Sequence, residues 1–404
     1  MDPRAITIAD YDYALPQEKI ADFPLPQRDA SRLLVYRDGS ITDDHFYNLP
    51  SHIPAGAVLF LNNTRVIEAR LLFTKATGGV IEIFCLEPSG RSMEQALAES
   101  GEVYWQCLIG GASKWKTGQV LEKELVLNSG KMILRAHYVS KQSDHFIIRF
   151  TWEPTGTPFS EILHAAGAIP LPPYIRRQAG EQDKERYQTV FSRLEGSVAA
   201  PTASLHFTPA VLNTLQENGV LIDYVTLHVG AGTFKPVKTA TVGEHQMHGE
   251  PFMVTRAAIR NMMAAPMVIA AGTTSLRTLE SIYWLGVKCR LRREGPQWQL
   301  GQWEAYELEK AAAGITLSQS LSAILQWMEE NQQDILHCYT SLLITPGYHF
   351  RVPSALITNF HQPQSTLLLL VSAFIGENWK NVYRHALQSN YRFLSYGDAS
   401  LLWR

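Results

Sequence analysis

Residues 208–229 carry the sequence TPAVLNTLQENGVLIDYVTLHV, in which a helix signal is followed at once by a strand signal. A threonine N-cap, a proline at the first helical position and Gly219 at the end predict a helix over residues 208–219. The run 220–229 that follows predicts a central strand. A second strand, turn and helix recur at 267–271 and 275–284. This repetition indicates an α/β domain.

Shorter apolar runs extend the same pattern toward both termini. Residues 57–61, AVLFL, predict a buried strand without alternation, and 342–344 and 356–357 predict two further strands. A short helix is expected to begin at Leu15 and Pro16. Residues 286–337 differ in texture and are interpreted as an accessory elaboration of this domain.

That elaboration contains a basic cluster, a hairpin-like segment with two tryptophans, and a helix over 316–331. A basic cluster of this kind is more often a solvated face than a nucleic-acid contact. The cluster is formed by Lys288, Arg290, Arg292 and Arg293, and the tryptophans are Trp298 and Trp303.

Between about Arg70 and Trp152 the sequence changes to short alternating runs separated by glycine-containing turns. Alternation with a period of two predicts antiparallel strands, and about six fit into this window. Six strands are enough for a small closed barrel, although a β-sandwich has the same spacing. The window is therefore interpreted as an all-β insertion, residues 69–152, in an α/β domain made of residues 1–68 and 153–404.

Composition excludes several classes of protein. The chain has 404 residues, of which 46% are hydrophobic and 18% charged, so disorder is excluded as its main state. The longest apolar stretch, 367–375, is too short to span a membrane, and the first residues lack a secretory signal, which favours the cytoplasm. Four cysteines without a Cys-x-x-Cys pair predict reduced core residues. With a net charge of −2, any binding of RNA requires local basic patches.

Polar residues and glycines cluster directly after predicted strands, where open α/β sheets form their ligand crevices. A helix start within such a cluster suits an anion, although its hydroxyls are also ordinary N-caps. Four clusters have this character: NNTR at 62–65, GSVAAPTASLHF at 196–207, HVGAGTF at 228–234 and GTTSLR at 272–277.

Two familiar motifs, a dinucleotide-binding loop and a metal site, are incomplete in this sequence. The glycines in HVGAGTF lack the third glycine and the helix of a dinucleotide-binding loop. His245, His248 and Glu250 lie within six residues and suggest a metal site, but no third strong ligand is evident and Gly249 and Pro251 disfavour a long helix. The non-metal interpretation uses these groups as acid, base and hydrogen-bond donors.

Ten blocks of sequence, taken in order, resemble the S-adenosylmethionine:tRNA ribosyltransferase-isomerase family of queuosine biosynthesis. They are long and unusual, and they run from residue 11 almost to the end of the chain. The blocks are YDYALP (11–16), RDASRLL (28–34), NNTRV (62–66), ERYQTV (185–190), 196–207, TLHVGAGTFKP (226–236), HQMHGE (245–250), GTTSLRTLE (272–280), TNFH (358–361) and YGD (396–398).

The resemblance implies an α/β main domain with an inserted six-stranded antiparallel β-barrel domain. It also implies transfer of the ribosyl part of S-adenosylmethionine to the aminomethyl group of a 7-deazaguanine base in the tRNA anticodon. Rearrangement of that ribosyl group gives epoxyqueuosine-tRNA, adenine and methionine. S-adenosylmethionine is then a consumed substrate, and no resident cofactor or metal is implied. The partners are S-adenosylmethionine and tRNA, with no membrane.

This chemistry requires a base near the ribose carbon beside the sulfonium, and an acid that assists departure of adenine. His245, His248 and Glu250 are the candidates for these proton transfers, with His206 and His228 as competitors, and the base and the acid are not assigned individually. The methionine carboxylate suits Arg65 or Arg277, and its ammonium suits Asp398 or Glu280. An alternative for Arg277 and Glu280 is a surface ion pair on one helix face. The other expected substrate-binding residues are Asn63, Thr273, Thr274, Asn359 and His361.

The tRNA must present an anticodon-loop base to the crevice, with its backbone held by basic side chains. Arg176 and Arg177 are the first candidates, joined by Lys114 and Lys116 around Trp115; surface solvation is the alternative for all four. Two other functions stay open: a diverged transferase or lyase acting on another acceptor, and a non-catalytic RNA-binding protein. The first of these rests on residues that differ from the family's usual ones, namely Asn63, Glu68, Ser204, Gln362 and Gln364.

Overall fold

The computed structural model of the chain describes residues 2–75, 77–116, 118–127, 130–230, 239–291 and 297–404. Its strands are β1 Arg32–Arg37, β2 Ser40–His45, β3 Val58–Asn62, β4 Thr64–Val66, β5 Arg70–Thr74, β6 Val80–Pro88, β7 Glu102–Gly110, β8 Val120–Leu127, β9 Gly130–Lys141, β10 Phe146–Glu153, β11 Gly167–Ala168, β12 Leu194–Ser197, β13 Leu221–Leu227, β14 Glu250–Thr255, β15 Val268–Ala271, β16 Gln299–Leu300, β17 Ile335–Thr340, β18 Ala355–Asn359 and β19 Ala399–Trp403. Its helices are α1 Leu49–His52, α2 Met93–Ala98, α3 Phe159–Ala166, α4 Glu181–Arg186, α5 Pro209–Glu217, α6 Arg256–Ala264, α7 Thr273–Arg290, α8 Glu304–Leu308, α9 Leu317–Glu330, α10 Thr366–Ile375 and α11 Trp379–Gln388.

A ten-stranded mixed sheet forms the main body, in the order β16-β17-β14-β13-β3-β15-β18-β19-β1-β2. Its centre is parallel, because β13, β3, β15 and β18 pair in the same direction. Strands β3, β15 and β18 are buried along their whole length, as expected for strands covered on both faces. The carboxyl ends of these four strands therefore meet at one edge of the sheet.

The helix predicted over residues 208–219 and the strand predicted over 220–229 are confirmed. Helix α5 begins after Thr208, whose hydroxyl accepts a hydrogen bond from the Val211 amide, and Gly219 follows its end with φ of +79°. Strand β13 then lies at the centre of the sheet. The predicted helix at 275–284 is the first part of the longer α7, and the apolar run at 367–375 is the buried helix α10.

Two strand predictions near the carboxyl terminus differ in outcome. Residues 356–357 lie in β18, whereas residues 342–344 are a buried extended loop that follows β17. The apolar run LLI correctly predicts burial. The strand prediction is wrong because a short apolar run occurs both in buried strands and in other buried segments.

The inserted region is a curled antiparallel sheet of seven strands, in the order β11-β5-β6-β7-β10-β9-β8. Six of these strands lie in the predicted window, and the seventh, β11, pairs with β5 from outside it. Strands β5 and β8 lie close to each other, but no ladder joins them in the described residues. The sheet is therefore a half-barrel, and the closed six-stranded barrel expected from the sequence is not confirmed.

The half-barrel encloses its own apolar core. Trp105, Phe150 and Trp152 point into it, and Phe159 on α3 packs against all three rings. Cys85 and Cys107 face each other across β6 and β7 within this core. All four cysteines are free thiols; Cys338 is also buried, and Cys289 is half-buried.

Residues 286–337 extend the main sheet through β16 and β17. Helix α9 packs so closely on α7 that a Cβ at Gly286 would lie 2.2 Å from the Ser320 hydroxyl oxygen. The hairpin predicted around Trp298 is wrong: β16 pairs in parallel with β17, and Trp298 packs edge-on against Trp327. In the basic cluster Lys288 is paired with Glu304 at 2.7 Å. Residues 292–293 of that cluster lie outside the described residues.

In the part of the chain that the structure describes, no helix combines the length and apolar character that crossing a bilayer requires.

Candidate active site

The loops after β3, β13 and β15, which carry three of the four polar clusters, meet the loop after β18 at the carboxyl edge of the sheet. The fourth cluster, 196–207, follows β12, which pairs with β4 outside the main sheet. Asn62 locks the first two loops to each other. Its side-chain oxygen accepts a hydrogen bond from the Leu227 amide at 3.1 Å, and its side-chain nitrogen donates to the Leu227 carbonyl at 3.0 Å. Because Asn62 is fully buried, these hydrogen bonds fix the mutual position of the two strand ends.

The residues after Asn62 have three different environments. Asn63 accepts a hydrogen bond from the Thr226 hydroxyl at 2.6 Å, and the Thr64 hydroxyl is hydrogen-bonded to His228 Nδ1 at 2.9 Å. Arg65 is exposed and lies 3.6 Å from Glu195. Of this cluster, Thr64 therefore acts on a site histidine, whereas Arg65 faces solvent.

His228 is buried at the wall between the main domain and the half-barrel. Burial lowers the pKa of its imidazole to about 4, so the ring is neutral at pH 7. Gly196 lies against this ring: a Cβ at Gly196, where φ is +143°, would lie 2.9 Å from two ring atoms of His228 and 2.7 Å from Met93. The glycine at position 196 thus permits the close approach of the half-barrel to His228.

Glu250 and Arg277 form a buried ion pair beside His228. The Arg277 side chain is 10% exposed and that of Glu250 is 5% exposed. The second carboxylate oxygen of Glu250 accepts a hydrogen bond from the Gly230 amide at 3.0 Å. Burial lowers the pKa of Arg277 to about 10, which still leaves the guanidinium charged at pH 7. The pair therefore places a fixed negative and a fixed positive group at the sheet edge.

One large cavity, here called the barrel-side cleft, lies between the half-barrel and the main domain. Its empty volume is about 1030 Å³. The walls of the cleft include, from the half-barrel, Pro88, Arg91, Ser92, Met93 and Glu94 and, from the main domain, His228, Glu250, Phe252 and Tyr339.

A second cavity, here called the small-residue cleft, lies at the start of α7 and has an empty volume of about 820 Å³. It contains Thr273, Thr274, Asn359 and His361 together with Tyr174, Ser395 and residues 199–203. A narrow recess lined by Arg277 shares Thr273 and Thr274 with it. Val229 lines both large clefts, so the two meet beside Glu250 and His228.

His245 and His248 lie on the loop that precedes β14, where the His245 side chain is half-buried and that of His248 is exposed. Met247 lines the recess beside Arg277, and Gly249 lines the barrel-side cleft. Burial and the neighbouring His248 lower the pKa of His245. The side-chain amide of Gln302 holds this loop through two hydrogen bonds. Its nitrogen donates to the His245 carbonyl at 2.7 Å, and its oxygen accepts from the Met247 backbone amide at 3.0 Å.

Two other histidines are fully enclosed. His206 is hydrogen-bonded through Nδ1 to Ser31 at 2.8 Å and through Nε2 to Asn359 at 3.1 Å, so both ring nitrogens are occupied. His361 is hydrogen-bonded to Thr358 at 2.9 Å, and burial lowers its pKa to about 3. Both rings are therefore neutral supports of the small-residue cleft.

Asp398 and Glu280, the two residues expected to bind the methionine ammonium, make their hydrogen bonds within the protein. Asp398 accepts hydrogen bonds from the backbone amides of Arg32 and Arg392, at 2.9 and 2.7 Å. Glu280 is buried and accepts from the Tyr348 hydroxyl at 2.7 Å and from the amides of residues 351 and 352; burial raises its pKa to about 7. Both carboxylates hold backbone segments, and Glu280 does not form the surface ion pair with Arg277 considered above.

The candidates for binding tRNA are widely separated. Lys114 and Lys116 lie beside the start of β6, next to Lys75, whereas the barrel-side cleft lies at the end of β6, about 26 Å away along the strand. Trp115 between them is buried, so it is no stacking platform. Arg177 is paired through both terminal nitrogens with Asp183 at 2.7 Å, and Arg176 is exposed near Tyr174.

Sequence reasoning missed the half-barrel residues that line the cleft, and it missed Gln302. Neither belongs to a recognisable motif; the Ser92 capping box was the one local signal for α2, and it indicates a helix rather than a site. Within the described ranges, no three His, Cys, Asp or Glu side chains are grouped as metal ligands. Residues 231–234 of the HVGAGTF cluster lie outside those ranges.

The fold and these residues define a mixed α/β protein with a polar site, containing a buried ion pair and a neutral histidine, at the carboxyl edge of its sheet. A family model described as "Queuosine biosynthesis protein" matches residues 8–402. The S-adenosylmethionine:tRNA ribosyltransferase-isomerase of Azoarcus sp. is 38% identical over 99% of this chain and 98% of its own length. That of Geobacter metallireducens is 40% identical over 97% and 98%. The crystal structure of S-adenosylmethionine tRNA ribosyltransferase from Thermotoga maritima is 26% identical, covers 97% of this chain and 99% of its own, and has a TM-score of 0.46.

The chain belongs to the S-adenosylmethionine:tRNA ribosyltransferase-isomerase family of queuosine biosynthesis proteins.

Proposed function

We propose that the protein transfers the ribosyl moiety of S-adenosylmethionine to 7-aminomethyl-7-deazaguanine in a tRNA anticodon and isomerises it. The products are epoxyqueuosine-tRNA, adenine and methionine. Similarity over nearly the whole chain supports this reaction. The structural observation that carries it is the buried Glu250–Arg277 pair where two clefts meet. Because S-adenosylmethionine is consumed, the proposal needs no resident cofactor, and its substrates place the reaction in the cytoplasm.

The small-residue cleft and its recess take the donor. Arg277 lies at the recess and supplies a buried cation for the methionine carboxylate, whereas Arg65 is exposed and faces Glu195. The Thr273 and Thr274 hydroxyls and the free amides at the start of α7 add hydrogen-bond donors at the same place. Arg277 is therefore preferred to Arg65 for this role.

Proton transfer takes place where the two clefts meet. The sulfonium acidifies the neighbouring ribose carbon, so a base there needs only moderate strength. The His228 imidazole is neutral and can accept a proton, and Glu250, which lines the same cleft and is paired with Arg277, is the second candidate for the base. His245 and His248 lie on the adjoining loop and are the candidates for protonating the departing adenine.

The barrel-side cleft takes the acceptor base. It is bounded by apolar and polar groups from both domains, and the anticodon base must leave its stack to reach Glu250. In this arrangement the donor ribose and the acceptor amine approach the site from opposite sides of Val229. The half-barrel then serves as one wall of the acceptor site.

The test is to incubate the purified protein with S-adenosylmethionine and tRNA that carries the aminomethyl-deazaguanine base. The tRNA is then digested and analysed by mass spectrometry for epoxyqueuosine, and released adenine is measured. Both products are expected, and a His248→Ala variant should form less of each. Adenine without modified tRNA would instead favour another acceptor. Neither product from a folded protein that binds tRNA would favour a binding function.

A further inference from the structure

Phe23 is the most exposed aromatic side chain among the described residues, with 62% of its surface accessible. It lies in residues 22–27, here called the Phe23 loop, whose sequence is DFPLPQ. An exposed aromatic ring contributes little to folding, so its presence alone carries no function. What distinguishes this ring is the way the loop beneath it is held.

Three arginines from distant segments donate hydrogen bonds to the backbone carbonyls of the Phe23 loop. Arg177 donates to the carbonyl of Asp22 at 2.9 Å, and Arg392 donates to the carbonyl of Phe23 itself. Arg186 donates to the carbonyls of residues 25 and 26, at 2.6 and 3.1 Å. Charge-assisted hydrogen bonds on four of six carbonyls make the loop a rigid support.

One face of the Phe23 ring is backed by Arg177. The guanidinium carbon lies 4.3 Å from the ring centre. Arg177 is itself fixed by its two-pronged pair with Asp183, at 2.7 Å for both contacts. The ring is thus held flat, with one face against a cation and most of its surface in solvent. A planar π-system would find a preformed stacking partner here.

Three arginines around the loop have no carboxylate partner in direct contact within the described residues. Arg28, Arg186 and Arg392 donate their side-chain hydrogen bonds to backbone carbonyls, and no ion pair joins any of the three to a carboxylate in the described structure. Burial and the neighbouring Arg186 lower the pKa of Arg28. Asp22 and Glu185 are exposed nearby and moderate this charge. The loop is one of the local basic patches that a chain of net charge −2 requires if it binds RNA.

The Phe23 loop lies beside the small-residue cleft. The Ala21 amide donates to the carbonyl of Phe393 at 3.2 Å, and the next two residues, Leu394 and Ser395, line that cleft. Ser395 also lines a small recess together with residues 24 and 25 of the loop. The Phe23 loop is therefore part of the surface around the small-residue cleft, so a tRNA whose modified base occupies the adjoining barrel-side cleft would contact it through another part of its anticodon arm.

We propose that the Phe23 loop is a docking surface for the tRNA anticodon arm, on which an unpaired nucleobase other than the modified base stacks. The arginines around the ring face the adjoining phosphates. This inference rests on the proposed function for the identity of the RNA. The proposed RNA contact therefore lies at the rim of the small-residue cleft, and not at Lys114 and Lys116 beside the start of β6.

Direct binding of a fluorescently labelled anticodon stem-loop RNA, measured by anisotropy without S-adenosylmethionine, tests the surface separately from catalysis. Phe23→Ala is expected to raise Kd about tenfold, since stacking on an aromatic ring has that magnitude. Phe23→Trp should stay within about threefold of the parent. Leu221→Ala is the matched control, because Leu221 is also exposed, at 46%, but begins β13 on the opposite edge of the sheet.

Phe23→Leu separates stacking from simple apolar contact. It keeps the bulk of the side chain and loses the flat ring, so we expect it to bind as weakly as Phe23→Ala. Parent-like affinity of either variant would overturn the proposal, and activity of the parent on tRNA would still support the proposed function. An equal loss in Leu221→Ala, or a parent that forms product without Phe23-dependent binding, would also overturn it. Melting temperatures of all four variants should match the parent within about 1 °C.

Discussion

Replacing Glu250 by Gln removes the negative partner of a buried guanidinium while keeping the shape of the side chain. The amide oxygen can still accept from the Gly230 amide, so the change isolates the ion pair with Arg277. Both side chains are at most 10% exposed, so solvent does not screen the loss. Breaking a pair of this kind by removing one partner costs about 3–5 kcal/mol.

That cost converts into a measurable shift. For 404 residues the entropy of unfolding is about 0.85 kcal/mol per kelvin, so Tm should fall by about 4–6 °C in Glu250→Gln. Arg277→Met should show a loss of similar size, because it leaves the carboxylate buried. The double variant removes both charges, and we expect it to recover at least half of the lost stability. All three should form little product.

Differential scanning calorimetry at pH 7 on the parent, both single variants and the double variant gives the complete cycle. The coupling between the two positions is the quantity of interest, since it cancels effects that each substitution has alone. A double variant no more stable than the weaker single variant would refute the argument that the pair is buried and mutually compensating.

Three further predictions concern Glu280, Gln302 and His228. Glu280→Gln should lower Tm by about 2–4 °C through weakened hydrogen bonds to residues 348–352, with the Kd for S-adenosylmethionine unchanged in calorimetric titration; a changed Kd would return Glu280 to the site. Gln302→Ala should lower kcat about tenfold with little change in KM, because it releases the loop of His245, and an unchanged kcat would contradict this. His228 has a pKa of about 4 in the folded protein and of about 6.5 in the unfolded chain. The unfolded chain therefore binds a proton first, and the free energy of unfolding falls by about 3 kcal/mol as the pH drops from 6.5 toward 4. Urea unfolding of His228→Gln at several pH values should show a flatter acid limb, and an identical slope would exclude this role.

The position of the site could be predicted from the sequence because it depends on chain direction. Parallel strands place their carboxyl ends at one edge, so the polar residues after β3, β13 and β15 had to converge. The number of strands in the insertion was predictable for a similar reason, since alternation reports each strand separately. Closure of those strands into a barrel was not, because it depends on whether β5 and β8 pair, and no local pattern encodes that contact.

The role of each polar side chain was less predictable. Glu280 and Asp398 belong to the blocks that carry the family resemblance, yet their oxygens accept hydrogen bonds from nearby backbone amides. A residue type states which hydrogen bonds are possible, and the tertiary structure decides which are made. The distance of Lys114 and Lys116 from the clefts was not predictable for the same reason, since the tertiary structure of the half-barrel sets it. Gln302 had no sequence signal because its partners are backbone atoms of a distant loop.

Strand β19 pairs in parallel with β1 on one side and antiparallel with β18 on the other, with Ala399 opposite both Leu33 and Asn359. During synthesis on the ribosome, β1 therefore emerges more than 350 residues before the neighbour that completes it. Until β19 arrives, two buried apolar strands have open edges, which favours aggregation and slow, non-local folding. We expect nascent chains that lack β19 to depend on chaperones, and the site beside β18 to be assembled only after β19 has emerged.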